Sequence, residues 1–433
     1  MTRRPINRRQ FVVGTSAAAV LGMQAGCASV GGSSVVGKAG GKVVVVGGGY
    51  GGATAAKYIR LWSEGQVEVT LVEPADAFVS CPLSNLVLNG MSLQAVTLSY
   101  DRLRQQHGVR IVKDRANAID VDKQQVRLAS GGTLAYDRLV LSPGIDFMRD
   151  ALPGLKLPDA QGKVLHAWKA GPQTVALQRQ LQAMPDGGVY ALTIPLTPYR
   201  CPPGPYERAS LVAHYFSRLK PKSKVLVLDA NEDITSKGAL FKKVWAERYK
   251  GIIDYRPAHR LIDVDAATGT LKFDFNDDIQ AQVLNVIPPQ RAGAIAHDAG
   301  LTTADKRWCE VDWLTHESKA ARHIHVLGDA LQAASAMPKS GHMANQHGKV
   351  AAAAIVALLS GRDVNPLPIY NNTCYSFVNE AQAMHVASVH RYDAERQTMQ
   401  PVPGAGGLST AASDLEGGYA WAWARNIWAD TLG

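Results

Sequence analysis

Residues Lys42–Arg60 read KVVVVGGGYGGATAAKYIR. The four valines Val43–Val46 predict a strand buried on both faces, as inside a parallel sheet. Gly47, Gly49 and Gly52 follow with G-x-G-x-x-G spacing, and the small residues Ala53, Ala55 and Ala56 open a helix. Each glycine has its own task. Gly47 permits the tight turn, Gly49 lets backbone N–H groups approach a pyrophosphate, and Gly52 lets the helix pack close on the strand. The phosphates would then lie at the positive end of the helix. A second strand, Val67–Val72, ends in Glu73, where a carboxylate can bond the ribose hydroxyls of an adenine dinucleotide. Strand, glycine turn, helix and acidic strand end stand in register, which separates this segment from a glycine-rich surface loop.

The 433 residues suffice for two or three domains. Of the net charge of +9, Arg3, Arg4, Arg8 and Arg9 supply four before residue 28, so the remainder carries +5. That is too mild for a nucleic-acid binder but suits steering of an acidic protein partner. Arg8-Arg9-Gln10-Phe11 is a twin-arginine pattern, followed by the short apolar run Val12–Ala25. Residues 1–28 are therefore expected to be an export signal to the periplasm, used by proteins that fold and load a cofactor first. Cys27 suggests a lipoprotein site, but Gln24 stands where leucine is usual. Residues 29–41 read as a Gly/Ser-rich linker. No later apolar run is long enough to cross a bilayer.

Beyond Glu73 an irregular loop holds Cys81, and His107–Leu134 reads as a three-stranded meander turning at Gly131-Gly132. The strand before Ser142 delivers Pro143-Gly144 to a tight turn beside the nucleotide. A second β-α-β plan follows: helix Thr174–Met184, strand Val189–Ile194, helix Pro205–Leu219, and strand Val225–Leu228 ending at Asp229. Where its glycines should stand, the chain reads Pro195-Leu-Thr-Pro-Tyr-Arg-Cys-Pro-Pro-Gly204. Prolines offer phosphate no N–H. A nicotinamide-type domain is thus expected without its phosphate cradle. Ile324–Asp329 reads as a strand ending in Gly328-Asp329, whose aspartate can bond a ribityl or pyrophosphate group. Gly341–Leu359 reads as a long helix whose N-terminus can face a flavin pyrimidine.

Five cysteines occur, at 27, 81, 201, 309 and 374. None forms C-x-x-C or C-x-x-C-H, so a zinc ribbon and attached haem are not expected. A disulfide between Cys201 and Cys374 would tie the second unit to the C-terminal one, either as a staple or as a redox-active pair. Glu207 could be a base near the thiol or a favourable charge at a helix start. His323/His325 and His342/His347 lack metal-ligand spacing, so no metal is expected. Trp421, Trp423 and Trp428 could cover a flavin or a partner, or pack an interface.

Three segments carry a family resemblance: Ser80-Cys81-Pro82-Leu83-Ser84-Asn85, Tyr199–Arg208 (YRCPPGPYER) and Asn372-Thr373-Cys374-Tyr375. Over essentially all of Lys42–Gly433 the chain resembles the flavoprotein subunit of flavocytochrome c sulfide dehydrogenase. The broader group is the FAD-linked disulfide reductases, with sulfide:quinone oxidoreductase as a near relative. The resemblance implies an α/β fold with two Rossmann-like dinucleotide-binding domains plus a small C-terminal α+β domain. FAD binding would occupy 42–152 and 285–365, the cradle-less Rossmann domain 153–284, and an interface domain 366–433. It implies FAD joined by its 8α-methyl to Cys81, a redox disulfide Cys201–Cys374, and Glu207 near the flavin. FAD contacts would come from Gly47, Gly49, Gly52, Glu73, Pro143, Gly144, Gly328, Asp329, Lys339 in Pro338-Lys339-Ser340-Gly341, and Trp428. Cys309 receives no role. The implied activity is oxidation of sulfide to sulfur or polysulfide, with electrons passing to a separate c-type cytochrome subunit. Two rivals share these cysteines: a sulfide:quinone oxidoreductase, and a flavoprotein that binds and reactivates a sulfur-oxidising protein. A pyridine-nucleotide disulfide reductase is disfavoured by the proline loop.

Overall fold

The computed structural model describes residues 40–433; the expected leader, Cys27 and the linker through residue 39 lie outside the described residues. In chain order the main elements begin with β1 (Gly41–Val46), α1 (Tyr50–Trp62), β2 (Val67–Val72), β3 (Arg110–Val112) and β4 (Arg138–Leu141). Next come β5 (Val164–Leu165), α2 (Pro172–Ala183), β6 (Val189–Ile194), α3 (Gly204–Leu219), β7 (Lys224–Asp229), α4 (Gly238–Arg248), β8 (Ile253–Arg256) and β9 (Val283–Val286). The chain then returns through β10 (Ile324–Val326) and α5 (Gly341–Leu359). It closes with β11 (Ile369–Phe377), β12 (Ala383–Asp393), β13 (Thr398–Pro401) and α6 (Asp414–Leu432).

The valine run sits mid-sheet, as a strand buried on both faces must. The first sheet has the order β10-β4-β1-β2-β3 and is parallel throughout. The second, β5-β9-β6-β7-β8, is parallel as well. An antiparallel sheet β11-β12-β13 and helix α6 complete the fold. This is the two-sheet α/β plan with a C-terminal α+β part that the sequence implied. Two local readings change. Arg110–Val112, taken above as part of the meander, pairs in parallel with β2. The antiparallel meander is instead Ala116–Asp120, Gln125–Leu128 and Thr133–Ala135. The strand expected over Ile324–Asp329 stops at Val326. Gly328, at φ +72°, turns the chain into a 3-10 turn, Gly328–Ala330.

Helices α1 and α5 cross at close range. A Cβ on Gly348 would lie 2.6 Å from the Gly51 carbonyl oxygen, so only glycine lets the backbones approach. Asn345 Nδ2 on α5 donates to Thr54 Oγ1 on α1 (3.0 Å) and to Asp430 Oδ2 on α6 (2.8 Å). Lys57 Nζ on α1 donates to the carbonyls of Ala429 and Asp430, both at 3.0 Å. A cation on the last carbonyls of α6 satisfies unpaired acceptors and opposes the helix dipole. These bonds fix α6 against α1 and α5, which sets where its tryptophans stand. Among the described residues no helix is long and apolar enough to cross a membrane.

Candidate active site

A cavity of about 360 Å³ runs from the glycine turn to the C-terminal sheet, a size typical of cofactor pockets. At its first end lie Gly49, Gly51 and Glu73. A Cβ on Gly47 would come within 2.3 Å of the Ser142 carbonyl oxygen, and one on Gly52 within 1.9 Å of the Gly47 carbonyl oxygen. One on Gly49 would meet nothing within 4 Å. Two of the glycines therefore serve the protein's own packing, while Gly49 faces the cavity. Glu73 accepts Gly48 N–H through Oε2 (2.7 Å) and Ala75 N–H through Oε1 (2.8 Å), so its carboxylate is held at the cavity edge. Gly48, not singled out above, is confined too: a Cβ there would lie 2.8 Å from the Tyr100 hydroxyl.

Mid-cavity, the lining passes Ser142, Gly144, Gly328 and Asp329. The buried Asp329 carboxyl keeps Oδ1 without a hydrogen-bond partner. Burial raises its pKa, opposed by the positive charges of Arg200 and Lys339. An orphaned acceptor costs free energy unless something bonds it, and a ribityl hydroxyl is the kind of donor it suits. The open face of Gly49, the fixed Glu73 and this orphaned oxygen together fit an adenine dinucleotide flavin.

The far end holds sulfur. Cys81, Cys201 and Cys374 all line it, with Glu207, Asn85, Arg200 and Trp423. Cys81 lies in a loop braced by the Tyr50 hydroxyl on Ser80 Oγ (2.7 Å) and by Ser84 Oγ donating to the Cys81 carbonyl (2.6 Å). Leu83 beside it has φ +68°. Cys201 adopts φ +59°, a strained region for a residue other than glycine. Its N–H donates to the Lys339 carbonyl (2.8 Å) and its own carbonyl accepts Gly204 N–H (2.9 Å). Gly204 makes room for the sulfur: a Cβ there would stand 2.8 Å from Cys201 Sγ. Cys201 and Cys374, the expected disulfide partners, both open on this cavity. Burial pushes both thiols up, and negative charge on Cys374 raises Cys201 further. Glu207 is buried, accepting Asn85 Nδ2–H (2.8 Å) and Phe377 N–H (2.9 Å); burial raises its carboxyl too. Asn85 is oriented in turn by Arg208 Nε donating to its Oδ1 (3.0 Å).

Five expected cofactor contacts do not line the cavity. Trp428 is turned inward, its indole N–H donating to the Tyr50 hydroxyl (3.0 Å), and Trp423 lines the cavity instead. The two are five residues apart on one helix, roughly 140° around its axis, so only one faces a given side. The Lys339 side chain is not at the cavity wall. Its Nζ donates to the Asp329 (3.0 Å) and Leu331 carbonyls and lies 3.6 Å from the Trp308 ring centre. Burial lowers it to about 7. Its contribution to the site is its carbonyl, which holds Cys201. Pro143 and Gly47 shape the turn from behind, as does Gly52, rather than lining the cavity.

Sequence reasoning missed Arg200 and Lys237. Arg200 is half-buried close to Cys81, Cys201 and Asp329; burial opposes its charge, and negative charge developing on those neighbours would favour it. Being flanked by Cys201 in a proline loop was a signal for it. Lys237 reaches the site from the start of α4, and nothing local marks it.

Comparison with known proteins gives three family matches. Residues 174–288 match "Sulfide dehydrogenase [flavocytochrome c] flavoprotein chain, central". Residues 366–432 match "Flavocytochrome c sulphide dehydrogenase, flavin-binding", and residues 41–182 match "Pyridine nucleotide-disulphide oxidoreductase". The flavoprotein chain of sulfide dehydrogenase (flavocytochrome c) from Chlorobaculum thiosulfatiphilum is 61% identical over 46 residues, 11% of this chain and 94% of that one. Mitochondrial sulfide:quinone oxidoreductase from Dictyostelium discoideum is 23% identical over 302 residues, 66% of this chain and 65% of that relative's length. The solved sulfide:quinone oxidoreductase from Aquifex aeolicus superposes with a TM-score of 0.72 at 17% identity, covering 90% of this chain and 91% of that one, which shows a shared fold.

Proposed function

The chain belongs to the flavocytochrome c sulfide dehydrogenase flavoprotein group, related to sulfide:quinone oxidoreductase, and from that premise we propose that it oxidises sulfide at Cys201 and Cys374 and passes the electrons to a separate c-type cytochrome subunit in the periplasm. One observation carries the reading. Cysteines 173 positions apart open on the same cavity as the glycine turn, Glu73 and Asp329.

Hydrosulfide attacks one sulfur of the oxidised Cys201–Cys374 pair. One S–S bond forms as the other breaks, leaving a persulfide on one cysteine and a thiolate on the other. Sulfide sulfur is oxidised by two electrons and the disulfide reduced by two. The glycine turn, Glu73, Asp329 and a thioether to Cys81 would hold FAD, which would supply two-electron oxidation on the cysteine side and one-electron transfer toward the cytochrome. Glu207, kept protonated to higher pH by burial, is placed to hold a proton beside the sulfurs. Half-buried Arg200 supplies a fixed positive charge against the negative charge that builds there. A second reading, with quinone as the acceptor, is supported by the sulfide:quinone oxidoreductase relatives matching 66% of the chain.

The test is Cys201→Ser and Cys374→Ser, each checked for flavin content and melting. A catalytic pair predicts loss of sulfide oxidation by about a hundredfold or more in folded, flavin-loaded protein. A mere staple would cost about 2–5 kcal/mol of stability and leave activity intact. Near-normal activity in either variant refutes the mechanism. Comparing cytochrome c with a soluble quinone as acceptor separates the two readings.

A further inference from the structure

Lys237 stands at the first turn of α4 with φ +59°, a conformation a non-glycine residue adopts only under constraint. The residue is 5% exposed. All three ammonium protons are directed: Nζ donates to the Cys374 carbonyl (3.0 Å), Ser376 Oγ (2.7 Å) and the Met384 carbonyl (3.3 Å). These partners, on β11 and β12, are neutral. Among the described residues no carboxylate forms an ion pair with it. Glu207 from α3 and Glu416 from α6 face it at longer range, with Cys201 and Cys374. Glu207 is already held by Asn85 and Phe377. A buried cation without a counter-charge is costly, and burial lowers Lys237 to about 8. Cys374 and Ser376 stand two apart on β11 and so share a face, the one where Nζ bonds Ser376 Oγ, which makes the Cys374 sulfur a group able to become its counter-ion. Burial raises both thiols and Glu207 raises both further; at Cys374 the opposing cation is Lys237, whereas Cys201 is also raised by negative charge on Cys374 and is opposed by Arg200.

We propose that Lys237 is a positioning residue of the cysteine pair, the cation that makes Cys374 the sulfur released as thiolate. The inference rests on the reading that this pair reacts with sulfide. HS⁻ then attacks Cys201 Sγ, and a new S–S bond forms to Cys201. The Cys201–Cys374 bond breaks with its electron pair going to Cys374 Sγ, opposite Lys237. The proton stays on the terminal sulfur of the Cys201 persulfide. Sulfide loses two electrons and the disulfide gains two.

The experiment is anaerobic alkylation of the phosphine-reduced, flavin-loaded protein with iodoacetamide across pH, read peptide by peptide in a mass spectrometer. In the native protein Cys374 reaches half-maximal alkylation at lower pH than Cys201. Lys237→Met moves the Cys374 midpoint up by about one to three pH units, the range expected for loss of a nearby opposite charge. Lys237→Arg restores most of it. An unchanged Cys374 midpoint in a folded Lys237→Met variant overturns the proposal. So does a native Cys201 midpoint below that of Cys374, which decides the matter if Lys237→Met does not fold. Because alkylation needs no sulfide, failure here is distinct from failure of the proposed function, which the cysteine-to-serine assays report.

Discussion

Gly52 and Gly49 sit three residues apart in one turn, yet alanine at each should do different damage. At Gly52 the new Cβ would stand 1.9 Å from the Gly47 carbonyl oxygen, so helix and turn must separate by about 1.1 Å to reach 3.0 Å. Neither is a flexible side-chain end: the oxygen is backbone, and α1 is pinned to α5 and α6 through Thr54, Asn345 and Lys57. Overpacking of this kind costs about 1–3 kcal/mol, more where backbone must shift. At about 2–4 °C per kcal/mol, Gly52→Ala should lower Tm by roughly 2–12 °C and weaken FAD binding as well. At Gly49, with φ −71° and open space beyond, alanine is compatible with the fold. Its methyl instead occupies the surface that backbone N–H groups present to a pyrophosphate. Gly49→Ala should leave the Tm of flavin-free protein within about 1 °C. It should weaken FAD binding by about tenfold or more, or ~1.4 kcal/mol. Both variants are made in a Cys81→Ala background, where flavin can exchange, and read by scanning fluorimetry and FAD titration. Native FAD affinity in Gly49→Ala would show that this turn is not the phosphate cradle. An unshifted Tm in Gly52→Ala would show that the close contact does not govern packing.

Three further outcomes are expected. Acid-precipitated native protein should keep its yellow colour and Cys81→Ala should lose it; colour released from the native protein would rule out the thioether. NADH and NADPH should fail to bleach the flavin at useful rates, because Pro195–Pro203 presents prolines and no glycine where a second phosphate cradle would lie; stopped-flow bleaching by NADH would contradict this. Because burial raises the folded-state pKa of Glu207 above its unfolded value, its contribution to stability is full below the unfolded value near 4.5 and is lost as pH rises through the folded one. Tm of the native protein relative to Glu207→Gln should therefore fall as pH rises above about 4.5. A pH-independent difference would leave only the donor–donor conflict that a glutamine amide makes with Asn85 or Phe377.

What the sequence determined by itself was local. The glycine turn, its two strands and α1 were legible because strand period, turn glycines and acidic strand end all fall within about thirty residues. The helix Gly341–Leu359 was read to its observed ends, and the proline loop was visible as a substitution within a repeated β-α-β plan. What depends on distant segments meeting was decided only by tertiary structure. Arg110–Val112 joined the parallel sheet because β2 offered it an edge, which a meander pattern does not encode. Trp423 rather than Trp428 faces the cavity because α6 is rotated and held by Lys57 and Asn345, residues some 80 to 370 positions away. Lys339 was drawn off the cavity by two carbonyls and the face of Trp308. Lys237 carries no local signature; it matters because β11 and β12 place two carbonyls, one of them that of Cys374, and a hydroxyl around its ammonium. Short-range patterns are written in spacing, whereas the charge balance of a buried site is set by whichever chains the fold brings together.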